Sequence, residues 1–393
     1  MKEYKMGKFW AALIYIGGLL LITLFGFLLF MPFLPGFKND IQTEVHNYFL
    51  APLSIIMIVV FVLGILDTAK GKFIIDTHKI TRIGAFSKRE ILLHDIKGYR
   101  INDKFILIES KREDQKTIKI ALQTANLNDI KDWLKNEYPN LDVQQKKNEK
   151  KDILNNPNFG GTKKEREELL QRTAKTVRIF NWIGGIAAVC AFFFPKPYWL
   201  VVGSCILFPI IALIIVKYYK GLVQIDSREN SSYPSIFAGL FFPSTALFIR
   251  TLLDFNILDY SNIWLPMTVI ALVLMALFMI GNSEFQLTKV KEVFSVLFLM
   301  FLMAEYSYGV VIFTNCTLDT SEPVHFHTKV LNKRTSTGKS TSYYLELTAW
   351  GDQKNPDEVS VTQEEYKTYT INDPVNVYFM KGNFEIPWYE ISK

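Results

Sequence analysis

The chain has 393 residues, of which 49% are hydrophobic and 31 are Phe, with a formal charge of only +6. That length could hold two or three domains. The apolar residues fall in runs of about 20, which match a roughly 30 Å hydrocarbon core at 1.5 Å per helical residue and exclude an ordinary soluble enzyme. Nothing in the balance of charge calls for a nucleic-acid partner, and Cys190, Cys205 and Cys316 have neither CxxC spacing nor an even-numbered framework, so no structural disulfide is expected.

Lys2, Lys5 and Lys8 precede the first apolar run. The run is too long for a signal peptide's apolar core and has no small-residue cleavage pattern after it, so it reads as a retained membrane helix. Seven spans are expected: Phe9–Phe33, Tyr48–Leu66, Val177–Phe194, Trp199–Val216, Ile236–Leu253, Ile263–Gly281 and Val293–Phe313. Their connectors alternate between basic and non-basic. Lys38 stands against Asp40 and Glu44 in the first. Lys196 is alone in Pro195–Tyr198. Lys217, Lys220 and Arg228 follow, then Asp254 and Asp259 without a cation, then Lys289 and Lys291. The positive-inside rule therefore predicts a cytoplasmic N-terminus and an extracytoplasmic C-terminus. Residues 68–176 carry net +8 and residues 314–393 net −3, which agrees with that orientation.

The polar block between the second and third spans reads as β-structure. Lys72–Asp76, Lys79–Ile83, Arg89–Leu93, Ile96–Ile101, Lys104–Glu109 and Thr117–Leu122 are short, β-branched, alternating runs separated by Asn, Asp or His turns. Asn126–Tyr138 then reads as one amphipathic helix, with Leu127, Ile130, Trp133 and Leu134 on one face, Asn126 as its N-cap and Pro139 closing it. Residues 144–151 form a charged linker or helix extension, and 155–161 a loop. Thr162 and Glu165 form a capping box that opens a helix leading into the third span, with Leu169, Leu170, Ala174 and Val177 on one stripe.

Strands followed by a single helix, with Ile80-Thr-Arg-Ile-Gly-Ala-Phe86 and Ile91-Leu-Leu-His-Asp-Ile96 among the strands, resemble the bacterial pleckstrin-homology-like family, in which such a module follows a membrane hairpin. The resemblance covers roughly residues 68–142 and implies a membrane-proximal β-barrel with a C-terminal helix and no catalytic residues of its own. After the last span, residues 314–393 read as a small extracytoplasmic β-domain. It comprises His325–Leu331, a polar hairpin loop at Asn332–Ser340, Tyr343–Trp350, Val359–Val361, a helical turn at Glu364–Tyr369, Val375–Met380, and a last segment ending at Tyr389.

The expected fold is thus a multi-pass α-helical membrane protein of about seven helices. Its parts are a helix hairpin (1–67), a cytosolic PH-like domain (68–142), a linker and membrane-proximal helix (143–176), five helices (177–313) and a β-rich domain (314–393). Candidate sites are few. Lys79, Arg82, Lys88 and Arg89 are candidate contacts for anionic lipid headgroups, weighed against a solvated face that simply obeys the positive-inside rule. Arg250 and Glu305 are the polar pair of the spans. Arg250 can snorkel or pair with Asp254 one turn away, and a pairing across helices with Glu305 is the alternative. His325 and His327 share a strand face, but with no third ligand beyond Asp319 or Glu322 no metal site is expected. Asn315-Cys-Thr317 fits a glycosylation sequon of no consequence in a chain of bacterial style. No catalytic constellation, nucleotide-binding loop or zinc motif is present in the sequence, so neither an enzyme nor a cofactor is expected. The expected function is non-enzymatic sensing, scaffolding or accessory work in a bacterial cytoplasmic membrane, with membrane lipids and an unidentified protein as partners. The alternative is transport or lipid handling by the helices.

Overall fold

The computed structural model describes residues 1–34, 46–228, 230–282, 284–285, 287, 290–337, 341–351 and 353–393. The readings of Lys38, Asp40, Glu44 and Lys289 lie outside the described residues. The chain divides into two compact units, Met1–Asn148 and Glu149–Lys393.

The first unit begins with a strand where the sequence predicts a basic flank. β1 (Lys2–Lys5) pairs antiparallel with β2 (Lys72–Ile75), so that Tyr4 lies opposite Phe73 and both are buried. Between them run α1 (Lys8–Phe30) and α2 (Ala51–Lys70). Each has one buried residue, Gly18 and Ser54 respectively. A Cβ on Gly18 would meet the Ile65 side chain at 3.0 Å, so glycine sets how closely the two helices approach. Elsewhere the two helices are mostly apolar and exposed or half-buried, as hydrocarbon contact requires.

β3 (Lys79–Ile83) and β4 (Lys88–Leu92) complete a four-stranded sheet in the order β1-β2-β3-β4, and β5 (Ile96–Ile101), β6 (Phe105–Ser110) and β7 (Ile118–Ala121) form a second sheet. The chain after β1 joins the two sheets: Gly7 donates to the Gln123 carbonyl and Ala125 to the Lys5 carbonyl, each at 2.8 Å. Alternation sends Ile80, Ile91, Ile106, Ile108, Ile118 and Ile120 into one core. α3 (Leu127–Glu137) closes it with Ile130 and Leu134 fully buried, each contributing about 1.5–3 kcal/mol. Asn126 precedes α3 as expected, but in a left-handed conformation (φ 54°) and without a side-chain cap. Gly98 lets β5 pass close to the end of that helix, where a Cβ would stand 2.5 Å from the Pro139 carbonyl oxygen. The charged run after Asp142 is helical, as part of α4 (Leu141–Asn155).

In the second unit the Thr162–Glu165 capping box starts α5 (Lys163–Phe193). The next apolar stretch is broken into α6 (Tyr198–Ser204) and α7 (Leu207–Tyr218). Pro209 has no N–H for the Cys205 carbonyl, which accounts for the break. α8 (Phe237–Asp254) tolerates Pro243 inside it. Its connector supplies β8 (Asn256–Ile257), and α9 (Trp264–Met279) and α10 (Val290–Thr317) follow. Among the described residues, six helical stretches are long and apolar enough to cross a membrane. The expected sixth span is instead the 16-residue α9, about 24 Å long.

β9 (Val324–Thr337), β10 (Thr341–Leu347), β11 (Asp357–Val361), the short α11 (Gln363–Thr368), β12 (Pro374–Met380) and β13 (Trp388–Ser392) finish the chain. With β8 they make a nearly closed antiparallel sheet in the order β11-β10-β9-β12-β13-β8. The expected hairpin loop at Asn332–Ser340 is largely strand: Asn332–Thr337 extend β9 and pair with β10, because Thr and Ser sustain the alternation as well as apolar residues do. Residues 338–340 of that loop lie outside the described residues.

Candidate functional site

The four basic residues of the N-terminal unit do not form one patch. The β3–β4 register places Lys79, Thr81, Lys88 and Glu90 on the outer face, while Arg82 and Arg89 share the face of the buried Ile80 and Ile91. Lys79 and Lys88 both pair with Glu90, at 3.0 and 2.7 Å. Lys88 and then Lys79 hold that carboxyl down at about 2. Arg82 bonds the Ile83 carbonyl at 2.8 Å and pairs with Asp67 of α2 at 3.3 Å, and the same carboxylate accepts from the Ala85 amide at 2.9 Å. Arg89 donates to the Thr117 carbonyl at 3.0 Å, across the two sheets. Each cation already has an internal partner. Arg100, another strand-end cation of the same module, bonds Glu109 at 2.7 Å, Asp142 at 2.8 Å and Gln145 at 2.9 Å.

Among the helices, Arg250 pairs with Asp254 at 2.7 Å within α8. Its Nε has no hydrogen-bond partner among the described residues, and the Tyr198 hydroxyl lies beside the same Asp254 carboxylate. Among the described residues Glu305 accepts only the Thr245 hydroxyl, at 3.4 Å. No ion pair joins Arg250 and Glu305 among the described residues. Tyr306 donates to the Ile206 carbonyl at 2.8 Å, satisfying a backbone group at the α6–α7 break.

The densest polar arrangement lies where the second unit's helices meet its sheet. Asn315, fully buried near the end of α10, donates from Nδ2 to the Ile386 carbonyl at 2.8 Å. Its Oδ1 accepts the Phe384 amide at 2.9 Å, and its own carbonyl accepts the Asn383 amide at 3.1 Å. Asp319 accepts from the Trp388 indole at 2.9 Å, the Gly382 amide at 2.8 Å and the Ser321 amide at 2.9 Å. Burial works against its charge, but these donors outweigh it and hold the carboxyl below the usual range. Gly382 (φ +78°) passes so near the Asn315 side chain that a Cβ there would collide with it. Asn262, ahead of α9, donates to the Glu385 carbonyl at 2.7 Å, and β8 pairs with β13 through Trp388 opposite Ile257. Phe255 packs edge-on against both Tyr198 and Trp388, with centroids 5.6 Å apart in each case. The β12–β13 turn is therefore bonded to the ends of α8, α9 and α10 together.

A second set strengthens the loops at the other end of the bundle. Glu284 accepts the Ile225 and Asp226 amides at 2.8 and 3.0 Å, and burial raises its carboxyl's affinity for a proton. Glu149 accepts the Ser231 hydroxyl and the Ser232 amide at 2.9 and 2.7 Å, and Ser295 bonds Asp226 at 2.8 Å. Arg228 and Glu284 border a polar cavity of about 330 Å³. Apolar grooves of about 750 Å³ along α8 and α10, and of about 620 Å³ along α5 and α8, run beside the helices. Sequence reasoning missed Glu149, Glu284 and Asp319 in these roles, and read Asn315 only as part of a sequon. In the sheet, His325 packs on Tyr378, and His327 bonds Asn376 at 2.9 Å. Among the described residues no three His, Cys, Asp or Glu stand where they could hold a metal. No family model, curated protein or solved structure matches this chain.

Proposed function

We propose that this is a non-enzymatic integral membrane protein that senses, scaffolds or serves as an accessory subunit, with the sheet and the helices of its second unit acting as one body. The observation that carries this reading is the junction around Asn315 and Asp319. A load on the sheet reaches α10 through the buried Asn315 and through Asp319, and the residues flanking α8 and α9 through the β8–β13 pairing and the Asn262–Glu385 bond, rather than through a flexible tether. The alternating Lys and Arg of the connectors support seven helices, with the short α9 as the sixth, a cytoplasmic N-terminus and an extracytoplasmic sheet domain in a bacterial cytoplasmic membrane. Four strands, three strands and a closing helix support a PH-like reading of the N-terminal module. Lys79 and Lys88, on the outer face with only Glu90 between them, are the basic residues best placed to meet anionic headgroups.

The test is extraction into lipid nanodiscs followed by mass spectrometry of what remains bound. A stoichiometric protein that is lost when the sheet domain is uncoupled by Asn315→Ala supports the reading. A protein that stays monodisperse and partnerless refutes it. A transporter or lipid-handling protein is the second reading, favoured by the two apolar grooves that flank α8. It requires Arg250→Gln and Glu305→Gln to abolish transport in vesicles at unchanged expression.

A further inference from the structure

One side chain among the helices lacks the partner its setting demands. Glu305 is the sixteenth residue of the 28-residue α10, which puts it about 20 Å from either end of the helix. Headgroups sit roughly 15 Å from the bilayer midplane and cannot reach it there. Hydrocarbon offers a carboxyl neither a donor nor a counter-charge. Thr245 supplies one bond at 3.4 Å, at the long limit for such a contact. Arg250, the cation the sequence suggested, is committed to Asp254.

The surroundings of Glu305 form a surface. Phe237, Phe241 and Thr245 recur every four residues on one side of α8. Phe294, Phe298, Phe301 and Glu305 recur at intervals of four, three and four on α10, and so share a helical face. The two rows meet. Phe237 stacks on Phe241 with centroids 5.5 Å apart, Phe298 lies 5.9 and 6.0 Å from them, and Thr245 reaches Glu305. Phe294 and Phe301 remain 66% and 60% exposed. The groove of about 750 Å³ borders the same two helices one turn short of Glu305, lined by Phe237, Leu240, Phe294, Phe298 and Leu302.

We propose that the α8–α10 seam is the docking face for a transmembrane helix of a second protein that carries a lysine or arginine at the depth of Glu305. The proposal rests on the accessory-subunit reading and names that partner's chemistry. The apolar groove receives the partner's side chains without selecting among them. The carboxylate selects, because one cation at the matching depth satisfies it and an all-apolar helix does not.

The experiment uses the full chain, fluorescently labelled, in phosphatidylcholine vesicles with synthetic leucine-rich peptides of about 20 residues. One peptide carries a central lysine and its control carries leucine there. Energy transfer should show the lysine peptide associating about tenfold more tightly. Glu305→Gln should remove the preference, because its amide still offers Thr245 an acceptor but bears no charge, while Glu305→Asp should keep most of it. Equal association of the two peptides with the wild-type chain overturns the proposal, as does a preference that survives in Glu305→Gln. Self-association of the chain without peptide, abolished by Glu305→Gln, gives the seam to a second copy and also overturns it. Failure here leaves the accessory reading standing on its nanodisc test, and failure there leaves the seam's selectivity intact.

Discussion

Replacing Asn315 by alanine tests whether the sheet and the helices of the second unit form one mechanical body. The side chain is fully buried and makes two bonds to the β12–β13 turn, one as donor to Ile386 and one as acceptor from Phe384. Alanine leaves that carbonyl and that amide unpaired away from water, at about 1–3 kcal/mol each. Some relaxation around the vacated space brings the expected total to about 2–4 kcal/mol, or a fall in Tm of roughly 5–15 °C for a unit of this size. Trp388 reports it directly, because its indole bonds Asp319 beside the altered contact. Its fluorescence should shift to longer wavelength at the lower Tm. The segment 318–323 should become a protease site well below the temperature at which the helices unfold. A variant whose Tm lies within a degree or two of wild type, with unchanged cleavage, would refute the reasoning, since a junction that survives losing its central side chain is not held by it.

Three further outcomes follow from other parts of the molecule. Tyr4→Ala should destabilise the N-terminal unit by about 2–4 kcal/mol, measured by urea unfolding, although the residue stands in what reads as a membrane flank; no effect would deny β1 a place in the sheet. Glu90, whose carboxyl Lys88 and Lys79 hold at about 2, contributes stability that is complete above the ordinary glutamate range and is lost as pH falls from there toward 2. Glu90→Gln should flatten that limb of a Tm–pH profile, and an unaltered limb would show that the lysines do not act through this carboxylate. Glu284 has the opposite sign. Burial raises its proton affinity, so its contribution is full below the ordinary glutamate range and declines as pH rises through the elevated value. At pH 7.5 Glu284→Gln, which offers one acceptor oxygen where the carboxylate offers two, should lose about 1–3 kcal/mol, and Glu284→Ala, which leaves both the Ile225 and Asp226 amides without an acceptor, should lose about 2–4 kcal/mol.

Periodicity made much of the architecture legible. Ile80, Ile91, Ile106, Ile108, Ile118 and Ile120 announce their strands because a half-buried strand must alternate, and Leu127, Ile130 and Leu134 announce α3 because a docking helix must not. Length and apolarity announce the spans. β1 was hidden because its four residues bury a single side chain, Tyr4, among lysines that also suit a cytoplasmic flank. β8 has only two residues. The α6–α7 break was foreshadowed by Pro209, but many membrane helices absorb a proline, as α8 absorbs Pro243, and local sequence does not separate the two cases. The site residues were harder still. Asn315 answers to Phe384 and Ile386, Asp319 to Trp388, and Glu284 to Ile225, partners about 60 to 70 residues away, so no spacing rule connects them.

The distribution of these polar contacts favours transmission over transport. Asn315, Asp319 and Glu284 accept or donate to backbone groups in fixed geometry, which suits holding two elements in register and leaves no acceptor free to exchange ligands. Arg250 and Asp254 pair one turn apart near the same junction, where an ion pair positions a helix end against the sheet's connector. A substrate path would instead need several intramembrane groups facing one cavity, with helices interrupted around it. Of the two candidates in the spans, one is consumed locally, and the other, Glu305, meets α8 through Thr245 along an aromatic seam. A lone carboxylate with one weak bond and a broad apolar flank is poorly equipped to pass a solute through the bundle and well suited to select a helix arriving from outside it.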